Sequence, residues 1–120
     1  DRCKTPGRAL SDIIGGENCV VVGRCGNNAF RHRDDLISVF LSGDKKKREE
    51  LIEKKHNVSH NKAVKIVEDT DMRRSTYHQY YTGEEWGGAG NYDICIDVSR
   101  VGKDAALRLI EEYIIETGVL

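Results

Sequence analysis

The chain has 120 residues, enough for one domain with one modest core. Hydrophobic residues make up 38% and charged residues 32%, with no low-complexity run, so a collagen-like, mucin-like or repetitive chain is excluded. The net charge of −1 argues against a partner held mainly by phosphate-backbone electrostatics, and no apolar run reaches the ~18 residues of a membrane span, so neither nucleic acid nor a membrane is an expected partner.

From the N-terminus, Asp1 to Arg8 is polar, holds the single Pro6 and reads as a loose end. The abrupt start without an initiator Met reads as a processed chain or a fragment, and no signal peptide opens it. Ala9 to Ile14 fits the last turns of a helix stopped by Gly15-Gly16. Cys19-Val-Val-Val22 is a short β-branched run, read as a strand buried on both faces. Gly23-Arg24-Cys25-Gly26-Asn27-Asn28 is turn chemistry. A second strand is expected over Ile37-Ser-Val-Phe-Leu41, ending in Ser42-Gly43-Asp44.

Asp44 is the expected N-cap of a helix from Lys45 to about Lys55. His56-Asn57-Val58 breaks it, and Ser59 caps a long helix that runs through Asp71, Arg74 and Tyr77-His-Gln-Tyr-Tyr81. At 100° per residue Ala63, Val67, Asp71, Arg74, Tyr77, His78 and Tyr81 share one arc of roughly 100°. That face begins apolar, becomes charged and ends aromatic. The bland reading of Asp71 and Arg74 is a surface ion pair at i,i+3 spacing; the sharper one is a carboxylate and a guanidinium aimed at a ligand.

Gly83, Gly87, Gly88 and Gly90 mark a loop before a third strand, Tyr92-Asp-Ile-Cys-Ile-Asp97. After the short connection Val98 to Gly102, Lys103 to Thr117 is amphipathic, with Ala106, Leu109, Ile110, Tyr113 and Ile114 inward and Gly118 as its stop. Alternating strands and helices imply an α/β fold, a parallel sheet with helices on both faces, and ligands of such sheets sit beyond the carboxyl ends of the strands. Arg24 and the segments Ser42-Gly43-Asp44 and Asp97-Val98-Ser99 fall at those ends.

A metal site is not expected. His56 and His60 straddle a helix break, and Cys19, Cys25 and His32 match no zinc spacing. Cys3, Cys19, Cys25 and Cys95 form no C-x-x-C pair and fit reduced thiols of a cytoplasmic protein; a nucleophile built on Cys25 has no indicated partner. Phosphate chemistry fits better, because phosphoryl transfer asks mainly for positioning and positive charge. Arg24, Arg48 and Arg74 are placed to converge on one crevice, and the planar fork of Arg donates bidentately to phosphate. Lys54, Lys55 and His56 form a basic tip between the two middle helices, which is also what a dipole-favoured helix end looks like. No G-x-x-x-x-G-K-[ST] motif is present.

Cys19-Val-Val-Val-Gly-Arg-Cys25, the strand at Ile37 to Leu41, Asp71-x-x-Arg74-x-x-Tyr77, Tyr80-Tyr-Thr-Gly83 with Trp86, and Asn91-Tyr-Asp-Ile-Cys-Ile96 together resemble the cytidylate kinase-like family. The resemblance runs from about Ala9 to Ile115 and implies a P-loop nucleoside monophosphate kinase-like fold, incomplete at the N-terminus. It implies one α/β domain over 1–120 with a lid over 44–60. The implied reaction moves a phosphoryl group from a nucleoside triphosphate to a nucleoside monophosphate, with ATP and Mg²⁺ as cofactors of the intact protein. By the same resemblance Arg24 and Arg74 bind the acceptor phosphate, Asp71 orients the acceptor, and Arg48, Lys54 and Lys55 are the catalytic lid cations. Cys25 stands where the better-understood relatives have an Asp that helps read cytosine, so this position departs from the family pattern and the resemblance does not carry the base preference over. The resemblance also puts a P-loop strand between the Cys19 and Ile37 strands. This chain is thus expected to be the C-terminal portion of a longer kinase-like protein, inactive alone, its gap filled by an N-terminal segment, a rearranged sheet or a second copy in a homo-oligomer. The alternative is a non-catalytic nucleotide- or protein-binding module derived from a kinase fold.

Overall fold

The computed structural model describes residues 19–23 and 25–119. The loose end, the helix turns expected over Ala9 to Ile14, and Arg24 lie outside the described residues. In chain order the elements are α1 (Gly26–Ala29), β1 (Val39–Ser42), α2 (Lys45–His56), α3 (His60–Thr82), a 3₁₀ turn (Ala89–Asn91), β2 (Ile94–Asp97), α4 (Val98–Val101) and α5 (Lys103–Thr117).

The helices start and stop where local chemistry dictates. The Asp44 carboxylate accepts from the Lys47 amide and opens α2, while the Ser59 hydroxyl accepts from the Lys62 amide and opens α3. Asn57 ends α2 with φ 50°, a left-handed conformation that Asn tolerates better than most residues. Gly83 ends α3 at φ 72°, and Gly118 ends α5 at φ 70°. The connection after β2 is itself helical: the Asp97 carboxylate accepts from the Ser99 amide and starts the single turn α4.

Strands β1 and β2 pair in parallel, with Val39 opposite Ile94 and Ser42 opposite Asp97. The register is locked just before the ladder. The Ser38 amide and hydroxyl both donate to Asp93 Oδ2, at 2.6 and 2.9 Å, and the Asp93 amide donates back to the Ser38 carbonyl. Tyr113 on α5 donates its hydroxyl to the other Asp93 oxygen at 3.2 Å, tying the last helix to the start of β2.

The run Cys19 to Val22 differs from the expected buried strand. It carries no strand pairing among the described residues, and Val20 and Val22 are 92% and 87% exposed. A strand exists only by virtue of a neighbour that takes its amides and carbonyls, and among the described residues β1 pairs with β2 alone.

The core is thin. Among the described residues its buried apolar members are Cys25, Ala63, Val67, Ile96 and Ala106, and no large side chain is fully buried. Ala63 and Val67 lie on the α3 face that the periodicity selects, and His78 is buried on it too. On α5 Ala106 is buried as expected, while Leu109 is exposed. A satellite cluster forms under the glycine-rich loop. Phe40 of β1 meets Trp86 edge-on with ring centroids 5.4 Å apart, and Tyr92 at 5.1 Å. Gly87, at φ 79°, lies directly over the Phe40 ring.

His78 yields a pH prediction. Its Nε2 is buried without a partner among the described residues, and burial holds the imidazole below its ordinary value. The unfolded chain therefore takes a proton on this ring first, so stability falls as pH drops below the unfolded value of about 6.5. Urea midpoints measured between about pH 7 and pH 5 should decline in the parent protein and decline less in His78→Leu. Equal slopes in the two proteins would remove His78 as the cause.

Candidate functional site

The carboxyl ends of β1 and β2 open side by side at Ser42 and Asp97. The chain leaves β1 through Gly43 into the Asp44 cap of α2, and leaves β2 through Asp97 into α4. The two exits are stitched together. The Asp44 amide donates to the Ser99 hydroxyl at 2.8 Å, and Lys47 Nζ donates to the Ser99 carbonyl at 2.9 Å. Asp97 is held below the usual carboxylate range by hydrogen bonds from Ser99 and, more weakly, by the charge of Lys47.

Helix α2 begins Lys45-Lys-Lys-Arg48 with no acidic residue in its first turn. Cations at a helix N-terminus oppose the macrodipole, so the cluster works against the local field. Residues outside α2 compensate. Lys45 pairs with Glu68 of α3 at 2.9 Å, and Arg48 pairs with Asp71 of α3 through one terminal nitrogen. At the far end of the hairpin His60 Nδ1 lies 3.4 Å from Glu53. The α2–α3 hairpin is thus held by two cross-helix ion pairs and the His60–Glu53 contact, in addition to its buried Ala63 and Val67.

The structure brings some of the expected site residues together and separates others. Arg48 and Asp71 meet directly, each side chain about one-third exposed at 35% and 33%. Arg74 lies one turn beyond Asp71 on α3, exposed, and among the described residues it makes no ion pair or hydrogen bond. Lys54 and Lys55 occupy the last turn of α2 and are exposed. They stand six or seven residues from Arg48, about 9 Å or more along the helix axis. Arg24 is outside the described residues, while its neighbour Cys25 is buried with φ 57°. Burial pushes the Cys25 thiol up, which makes it a poorer nucleophile.

Gly43 and Ser99 lie in the segments expected at the strand ends, while Lys47, which joins them there, is not singled out by the sequence pattern. A methyl group on Gly43 would stand 3.2 and 3.3 Å from the Arg48 stem, so the bare backbone here gives Arg48 room as it passes the end of β1. Lys47 sits in the basic run that opens α2, but its bond to Ser99 spans 52 residues and has no local signal.

Among the described residues no three His, Cys, Asp or Glu side chains converge to hold a metal ion. Among the described residues no helix is long and apolar enough to cross a membrane.

Comparison with known proteins adds an independent line. A solved structure, titled as the crystal structure of an uncharacterized protein from Eubacterium ventriosum ATCC 27560, superposes with a TM-score of 0.85 at 28% identity. The match covers 92% of this chain and 63% of that one, so this chain spans less than two thirds of the length of that protein. A search of curated proteins finds no match. The family model described as the cytidylate kinase-like family matches residues 3–100, a stretch that takes in both strands and the whole α2–α3 hairpin. A match that long, over the elements that build the strand-end cluster, makes the chain a member of the cytidylate kinase-like family.

Proposed function

We propose that the chain is the acceptor and lid portion of a nucleotide phosphotransferase, which moves the γ-phosphoryl of a nucleoside triphosphate to a nucleoside monophosphate. The observation that carries this reading is the Arg48–Asp71 pair beside the strand carboxyl ends, with the exposed Arg74 one turn along α3. Strand carboxyl ends are where ligands of parallel α/β sheets bind. Arg74, with Arg24, holds the acceptor phosphate by charge-assisted bonds. Asp71 orients the acceptor. Arg48 faces the transferred phosphates, and Lys54 and Lys55 reach the donor when the 44–60 lid folds over and excludes water.

In this reading residues 1–120 form one α/β domain of a P-loop nucleoside monophosphate kinase-like fold, and the P-loop that cradles the donor ATP and Mg²⁺ comes from additional chain. The exposed Val20 and Val22 support this, as does the pairing of β1 with β2 alone among the described residues. An inserted strand would bury the one and cap the other. The 120-residue chain by itself then turns over no nucleotide. The free thiols of Cys19, Cys25 and Cys95 fit a reducing, cytoplasmic setting.

The test is a thermal-shift and calorimetric titration with CMP, UMP and dCMP. At least one should stabilise the protein, and Arg74→Ala should weaken its binding by about ten- to a hundredfold, the loss of a hydrogen-bonded charge. A nucleotide that binds the parent and Arg74→Ala equally would remove Arg74 from the site. A second reading, a kinase-derived binding module, draws on the surface cluster of Tyr77, Tyr80 and Tyr81, whose rings lie 4.8 and 4.9 Å apart. That reading predicts no shift with any of the three nucleotides.

A further inference from the structure

The Arg48–Asp71 contact joins two residues that the proposed function assigns to opposite substrates. Arg48 serves the donor phosphates and Asp71 the acceptor nucleoside, yet each holds the other. The geometry limits what Arg48 can do meanwhile. Its stem passes close to Gly43 at the end of β1. One terminal nitrogen is engaged by Asp71. The remaining guanidinium N–H groups make no hydrogen bond among the described residues, and the side chain is 35% exposed, so an anion can reach them. The obstacle is the Asp71 carboxylate. A phosphate arriving at Arg48 would lie beside a fixed negative charge whose own attraction to Arg48 it must replace or share.

We propose that this pair is an interlock: Asp71 masks the phosphate-binding capacity of Arg48 until an acceptor nucleoside draws the carboxylate away. The ligand of the unmasked site is a polyphosphate oxygen cluster, such as the tail of a nucleoside triphosphate. The interlock rests on the functional reading above, and it adds an order. The acceptor binds first and strengthens donor binding, and the donor reciprocally strengthens acceptor binding, because a coupling free energy is shared by both sites. A donor phosphate that arrives without an acceptor meets a neutralised arginine. Premature transfer to water is thereby disfavoured without any large movement of the hairpin, since one side chain changes partner while the Lys45–Glu68 contact and the Glu53–His60 contact remain.

The experiment is a calorimetric titration of inorganic tripolyphosphate into the parent protein, Asp71→Asn, Arg48→Gln and the double variant, at one fixed low salt concentration. Asp71→Asn keeps the size of the side chain and one acceptor oxygen, and removes its charge. It should bind tripolyphosphate about threefold tighter than the parent, the scale of a partly exposed ion pair released. That gain should vanish when Arg48 is also replaced by Gln. Equal or weaker binding by Asp71→Asn, or a gain that survives in the double variant, overturns the interlock; so does a failure of both parent and Asp71→Asn to bind. Circular dichroism of each variant establishes that the helices are intact. A second arm adds saturating CMP, which should tighten tripolyphosphate binding to the parent and leave Asp71→Asn unchanged. If CMP does not bind at all, the acceptor assignment fails, while the competition between Asp71 and phosphate for Arg48 is still decided by the first arm.

Discussion

Gly87→Val should lower the melting temperature by about 12 °C, corresponding to a loss of about 3 kcal/mol. Two costs combine at this position. The backbone has φ 79°, which a β-branched residue adopts only with strain of about 1–2 kcal/mol. In addition, the first side-chain carbon would stand 2.8 Å from the Phe40 ring tip and 3.0 Å from the adjacent ring carbon. Phe40 cannot retreat freely, because Trp86 and Tyr92 pack against its ring. The ring would have to leave the cluster, or the loop would lift from β1. Thermal melts of the parent, Gly87→Val and Gly90→Ala decide the point. A methyl group on Gly90 would meet no heavy atom within 4 Å, so its substitution should move the melting temperature far less. A Gly87→Val protein that melts with the parent would mean the loop does not rest on Phe40.

Ile96→Ala should cost about 3 kcal/mol in urea unfolding. Ile96 is 6% exposed and stands opposite Leu41 in the β1–β2 register. Among the described residues it is the one buried apolar side chain contributed by the sheet, so truncating it removes the sheet's own share of the buried apolar contact. The substitution should act mainly by speeding unfolding, with folding slowed less, because the sheet joins distant parts of the chain and closes after the local helices. Stopped-flow folding and unfolding rates separate these contributions, and a change confined to the folding rate would contradict the expected order.

What could be read from the sequence followed the range of the interactions. Asp44, Ser59, Gly83 and Gly118 were legible as helix ends because a cap acts on residues one turn away. The α3 face was legible for the same reason, and Ala63, Val67 and His78 are buried on it. The second and third expected strands were placed correctly but drawn too long at their starts, since β1 begins at Val39 and β2 at Ile94, one residue after the Ser38–Asp93 bonds. Cys19 to Val22 has the composition of a buried strand, yet composition does not supply the neighbour that a ladder requires. The site was half legible. Asp71 and Arg74 stood out by their place on α3, but the partner that Asp71 takes is Arg48, 23 residues earlier and on another helix. The role of Gly43 was invisible, because nothing in a glycine announces which side chain will cross it.

The clamp between Ser38 and Asp93 has a kinetic side. These residues are 55 positions apart in the chain, and Asp93 accepts two bonds from Ser38 as the parallel pair begins. Bringing such distant points together from an open coil is entropically unfavourable, and the cost grows with the logarithm of the intervening length. Most of that length is not coil. Helices α2 and α3 lie inside it as an antiparallel hairpin whose side-chain pairs span 7 to 23 positions, well under 55. Once the hairpin has formed, it carries the chain out and back, and the span left to search is much shorter than the residue count suggests. The same paired helices that bring Arg48 to Asp71 are thus the scaffold on which the two strands find each other.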